Sequence, residues 1–215
     1  MLEVVYSRKV FLRTLAVSEA GLFAYHNSTL STGHLSNFKM ADSWYTEAFQ
    51  AFRITKTSGR SFETVVNRLR CQTNPQGQPL SEIFKPHKPY SEISQAEYIQ
   101  YINNKLGPSG FMYFHELEYG SWINLFDIGG GMRMKRFIIG NPLIAITILE
   151  HEMRAALSVP VELLVRELED GIGTEVVYLK PSGVIRGDYN GNGALKGAAE
   201  ALDRKLESLV DAITS

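Results

Sequence analysis

The sequence predicts an α+β fold, a two-layer sandwich of a mainly antiparallel sheet with helices on one face. Three observations carry this expectation. Extended segments over 161–168 and 174–180 are joined only by Asp170-Gly171-Ile172-Gly173, a hairpin-length connection. A second pair of extended segments lies between 111 and 139, so helices are interspersed with strand pairs rather than with single strands. The chain also carries a long amphipathic helix: Leu195, Ala198, Ala199, Leu202, Leu206, Leu209, Val210 and Ile213 form one apolar stripe, with Glu200 and Arg204 spaced for an i,i+4 pair.

Residues 1–47 stand apart, because Ser, Thr, His and Asn cluster between His26 and Ser36 and the periodicity fades. They read as an N-terminal extension, either poorly ordered or an added element, preceding a single α+β domain over 48–215. Phe49 to Thr55 reads as the first strand, and Ser61 caps a helix with Phe62, Val65, Val66 and Leu69 at helical spacing. Four prolines between 75 and 89 mark a long connection. Ser94-Gln95-Ala96-Glu97 is a capping box, with Ile99, Ile102 and Leu106 as the expected buried stripe behind it and Gly107-Pro108 as the stop. Phe111 to Glu118 is a strand, a shorter extended piece runs from Trp122 to Phe126, and three glycines lead into the strand Met134 to Ile139. Asn141-Pro142 opens a helix, asparagine at the cap and proline at the first turn, where its missing N–H costs nothing.

The 215 residues include 22 Lys and Arg against 23 Asp and Glu, a net charge of −1 that argues against nucleic acid or an anionic membrane as partner. A single cysteine excludes an intrachain disulfide and thiolate-rich metal sites. No apolar run reaches the 18 or so residues of a bilayer span. Arg8, Lys9 and Arg13 overlap the apolar stripe instead of forming a separate basic face, which argues against a mitochondrial leader; the cytoplasm is the expected compartment. No cofactor and no metal is expected. Asp188 to Gly193 imitates half a calcium loop, but its twelfth position is Ala199, so a helix cap through Asn190 or Asn192 is the better reading. Likewise His151-Glu152 lacks the second histidine of a zinc motif, Cys71 lacks a redox companion, and His26, His34 and His87 do not assemble.

In a regular strand Phe111, Tyr113, His115 and Leu117 share one face, and Phe114, Glu116 and Glu118 the other. On that geometry His115 is the one catalytic candidate, and Tyr113, His115, Trp122 and Arg136 are the ligand-binding candidates in an aromatic stretch able to line a pocket. Glu116 and Glu118 are expected to pair across strands with the basic segment Arg133, Lys135, Arg136.

The segments Arg136 to Pro142, Ala145, Val159 to Val165, and Pro181 resemble the family called domain of unknown function 302; residues 48–71 and 110–185 fit its layout. The resemblance implies a two-layer α+β protein that forms a homodimer and has no assigned biochemical role. Three functional classes follow: a protein that binds a small apolar molecule, which ranks first; a cofactor-independent enzyme using His115 as acid or base, with Tyr113 or Arg136 as a stabilising donor; and a structural or interaction homodimer.

Overall fold

The structure, a computed structural model, describes residues 15–17, 23–25, 44–73, 88–169, 171–185 and 192–215. The chain divides into two compact units, Met1–Tyr45 and Thr46–Ser215. In the first, β1 (Leu15–Val17) and β2 (Phe23–Tyr25) pair antiparallel, with Ala16 opposite Ala24. The polar composition of this region had given no sign of that pairing.

The second unit is built on a five-stranded sheet of order β3-β7-β6-β5-β4, every neighbouring pair antiparallel. Its strands are β3 (Arg53–Ser58), β4 (Met112–Glu118), β5 (Met134–Gly140), β6 (Val161–Glu167) and β7 (Thr174–Leu179). β3 starts four residues later than periodicity suggests. Its partner β7 ends before Lys180-Pro181, and proline has no N–H to continue the ladder, so Phe49 to Phe52 have nothing to pair with beyond the Lys180 N–H donating to Phe52 O.

Two helices cover one face. In α1 (Phe62–Thr73) the expected Phe62, Val65, Val66 and Leu69 are buried. The C-terminal helix, α4 (Gly193–Thr214), buries seven of the eight stripe residues, with Ala198 partly buried against the core. They close over Phe137, Ile139, Leu163, Val165, Val176 and Tyr178, which alternate along β5, β6 and β7. The i,i+4 support in α4 runs from Lys196 to Glu200, 3.7 Å apart, rather than from Glu200 to Arg204.

One helix departs from the expected one-sided layer. α2 (Gln95–Asn103) begins at the predicted capping box, whose two reciprocal bonds are both present. It buries Ile102 against Met112 and Phe114, with Tyr98, Leu106, Ile138 and Leu143 packed around them. Met112 and Ile138 alternate with the residues under α1 and α4, so α2 covers the β4 end of the opposite face. Ile99 stays more than a third exposed, and Tyr98 and Tyr101 take its place in the stripe.

Trp122 to Phe126 is not extended. It forms a helical turn, Gly120–Ile123, followed by a 3-10 turn, Asn124–Phe126. The Asn124 amide donates to Gly120 O and accepts from the Gly131 N–H, a local side-chain alternative to strand pairing. Among the described residues no helix is long and apolar enough to cross a membrane.

Candidate functional site

Strand β4 is not regular. Tyr113 lies opposite Ile139 but His115 lies opposite Ile138, so Phe114 is an extra, unpaired residue. The bulge inverts the face assignment that strict alternation predicts. Tyr113, Glu116 and Glu118 now share the helix-covered face with Ile139, Phe137 and Lys135. His115 and Leu117 share the other with Ile138 and Arg136. Tyr113 and His115 therefore do not converge.

Glu116 bridges elements as well as strands. It accepts two hydrogen bonds at 2.8 Å from the Arg70 guanidinium of α1 and one at 2.8 Å from Lys135 Nζ, while Lys135 also reaches Glu118 at 3.3 Å. The cross-strand pairing is as expected; the tie to α1 is not. Burial pushes the Glu116 carboxyl up, but the bonds from Lys135 and Arg70 outweigh it and hold it below the usual carboxylate range. Burial, with the Glu116 carboxylate beside it, pushes the Tyr113 phenol up to about 12, so it keeps its proton at neutral pH. We expect Glu116→Gln to cost about 1–2 kcal/mol, since it leaves two half-buried cations short of a counter-charge. Because the folded carboxyl titrates below the unfolded value of about 4.3, the stability it contributes is present above that pH and lost as pH falls through the folded value. Acid titration of stability checks this: the variant's curve should be flatter than the wild type's below that pH.

A half-open apolar cavity of this unit lies where β5 runs into α3 (Pro142–Leu149) and β6 begins. This cavity has a volume of about 180 Å³. Phe111 and Phe114 form one wall, Ile144, Ala145 and Leu149 of α3 another, and Leu202 of α4 reaches it across the core. Val159, cis-Pro160 and Val161 complete it. Gly140 sits at its edge. A Cβ there would stand 2.9 Å from the Phe114 ring and 3.0 Å from Pro160, so only glycine lets these rings meet. The polar side chain in the wall, Asn141, is already engaged: Oδ1 accepts from the Leu143 N–H at 2.9 Å and Nδ2 donates to Gly110 O at 3.0 Å. Asn141 caps α3 as the sequence predicts, and its second bond pins the β4 approach to the same point. The site is thus apolar in shape and in chemistry.

On the opposite face lies a wider groove of about 900 Å³. Arg53, Thr55, Val177, Leu164 and Arg136 cross its floor, and Phe49, Leu157 and Val184 stand around it. Of the sequence-predicted residues, Arg136 is here, ion-paired with Glu162 and hydrogen-bonded to Tyr119. Trp122 packs against Tyr119 with ring centroids 5.9 Å apart, so Arg136 and Trp122 meet through that tyrosine. His115 is exposed on β4 and does not line the groove, and Tyr113 lies on the far side of the sheet. What the sequence reading missed is the cavity around Asn141: Asn-Pro was fully explained as a cap, and only Gly140 beside it signalled close packing. Among the described residues no group of three or more His, Cys, Asp or Glu could hold a metal ion. Asn192 caps α4 by accepting from the Leu195 N–H; Asp188 to Gly191, like His26, His34 and His87, lie outside the described residues. Cys71 is exposed.

Three comparisons place this architecture among known proteins. The family described as Domain of unknown function DUF302 matches residues 87–213. No curated protein matches. Among solved structures the chain is similar to an uncharacterized conserved protein DUF302 from Bacillus stearothermophilus, with a TM-score of 0.50 and 16% identity. That likeness covers 75% of this chain and 98% of the other, and it concerns the fold alone.

Proposed function

The chain belongs to the DUF302 family, and from that premise we propose that it is a cytoplasmic protein that binds a small, neutral, apolar molecule in the cavity beneath α3. One observation carries the reading: about 180 Å³ of half-open space lined by aromatic and aliphatic side chains, with Asn141 already bonded to the backbone. An apolar cavity of roughly 150 Å³ is enough to admit benzene. The ligand is therefore of that size, a single ring or a short alkyl chain, and it binds by shape and burial without a hydrogen bond. Of the aromatic strand, Phe111 and Phe114 line this cavity, while His115 and Tyr113 do not.

Toluene is the probe that tests this, read by thermal shift and by ligand-observed NMR. The wild type is expected to bind saturably, in the micromolar to millimolar range proper to so few atoms. Ala145→Phe, which fills the space from α3, should lose binding at least tenfold and still fold. Toluene binding that survives in Ala145→Phe, or a wild type that never saturates, would remove the cavity as the site.

A further inference from the structure

We propose that the groove on the opposite face of the sheet is a second site, adjoining the cavity at Pro160 and Val161, and that it takes an organic monoanion with a flat apolar body. The register across the sheet lays out the surface. One row reads Thr55, Val177, Leu164, Arg136, Leu117 from β3 to β4, and the next reads Thr57, Glu175, Arg166, Met134. Val177 and Leu164 thus form an aliphatic centre, with Arg136 beside it in the same row and Glu175 and Arg166 in the next.

Those charges are not balanced. Arg136 is held by Glu162, and Arg166, beside the groove, by Glu175 at 2.8 Å. Arg53, at the β3 edge opposite Leu179, has no ion pair or side-chain hydrogen bond among the described residues. Among the described residues one guanidinium is thus left over beside the aliphatic centre, and a guanidinium is shaped to bind a carboxylate, sulfonate or phosphate oxygen pair. The volume, about 900 Å³, falls within the range of pockets that enclose a multi-ring molecule, and it is far too large for the ligand of the cavity. Tyr119 supplies an aromatic surface at the far end. A neutral ligand would leave Arg53 unused. A dianion would exceed the one charge left uncompensated among the described residues.

Two fluorescent probes that share one aromatic body separate the contributions: anilinonaphthalene sulfonate, which is anionic, and N-phenyl-1-naphthylamine, which lacks the sulfonate. The wild-type chain is expected to bind the sulfonate probe about tenfold more tightly, and added salt should erase the difference. Arg53→Met keeps the apolar stem and removes the charge; it should cost the sulfonate probe about tenfold and leave the neutral probe within twofold. Arg53→Lys should restore part of the loss. The groove shares Pro160 and Val161 with the cavity, but Ala145 lines only the cavity and Arg53 only the groove, so Ala145→Phe should leave both probes within twofold and failure of either reading can be told from failure of the other. Sulfonate affinity indifferent to Arg53→Met would overturn the proposal. So would sulfonate affinity that falls as protein concentration rises, with light scattering reporting a dimer, because a second copy of this chain would then occupy the face.

Discussion

Gly107→Ala is expected to destabilise the fold by at least about 3 kcal/mol, lowering the thermal midpoint on the order of 6–12 °C. The reason lies in how the chain leaves α2. The loop from Gly107 to Gly110 is seated on the last turn of α1, where Ser109 donates to Gln72 O through both its N–H (3.2 Å) and its hydroxyl (2.7 Å). That carbonyl is one of the four a helix leaves unpaired at its C-terminus, so the loop serves as the cap. A Cβ on Gly107 would come within 2.2 Å of Gln72 O and 2.7 Å of the Thr73 Cα. Both are backbone atoms, which cannot rotate away as a side chain would. Relief therefore requires lifting the loop, which breaks both capping bonds and shifts Phe111, whose carbonyl accepts from the Gly107 N–H at 2.8 Å. Calorimetry of the variant decides the point; a midpoint within 2 °C of the wild type would mean that the loop rides off α1 at no cost.

Phe111→Ala should cost about 3–5 kcal/mol and at the same time widen the cavity beneath α3. The ring is fully buried, forms one wall of the cavity, and carries Lys205 Nζ 5.5 Å from its centroid on the other side. Its removal opens space beside the cavity that strand β4 and helix α3, held in place by their own packing, do not close. The consequence for binding has the opposite sign to that for stability. A two-ring molecule such as naphthalene, too large for the wild-type cavity, should raise the variant's midpoint while leaving the wild type's unchanged, because a ligand that binds only the folded state stabilises it by mass action. A variant destabilised as expected but unresponsive to naphthalene would show that the core had collapsed into the gap.

Much of the fold was legible because its elements obey local rules. The spacing of Phe62, Val65, Val66 and Leu69, the Ser94–Glu97 box and the Asn141-Pro142 start each describe a helix without knowledge of its neighbours. The antiparallel pairing of β6 and β7 follows from a connection too short for anything else. Where the reading failed, non-local geometry was in command. Nothing in Met112 to Glu118 announces that Phe114 is skipped by the ladder, yet that one residue decides which side His115 and Glu116 occupy. Ile99 lost its place because α2 meets the sheet through tyrosines at neighbouring positions. The cavity was hidden for a similar reason: its walls come from β4, β5, α3, the segment before β6, and α4, and no window of sequence contains them together. Arg136 and Trp122 were brought to one place, but on the face that the cavity does not occupy.

The strand order carries a consequence for how the chain finds this fold. β4, β5, β6 and β7 follow one another in sequence and in space, so each of their pairings closes a comparatively short loop. β3 is different: Ser58 lies opposite Thr174, and more than a hundred residues intervene. Closing that loop costs about 2–3 kcal/mol more in chain entropy than closing the β6–β7 hairpin. The meander β4 to β7 can therefore assemble first as a local template, with β3 added to its exposed β7 edge once α4 has begun to gather the core. Arg53, which β3 places in the groove, arrives with that last strand, so the opposite face acquires this guanidinium only when the sheet is complete.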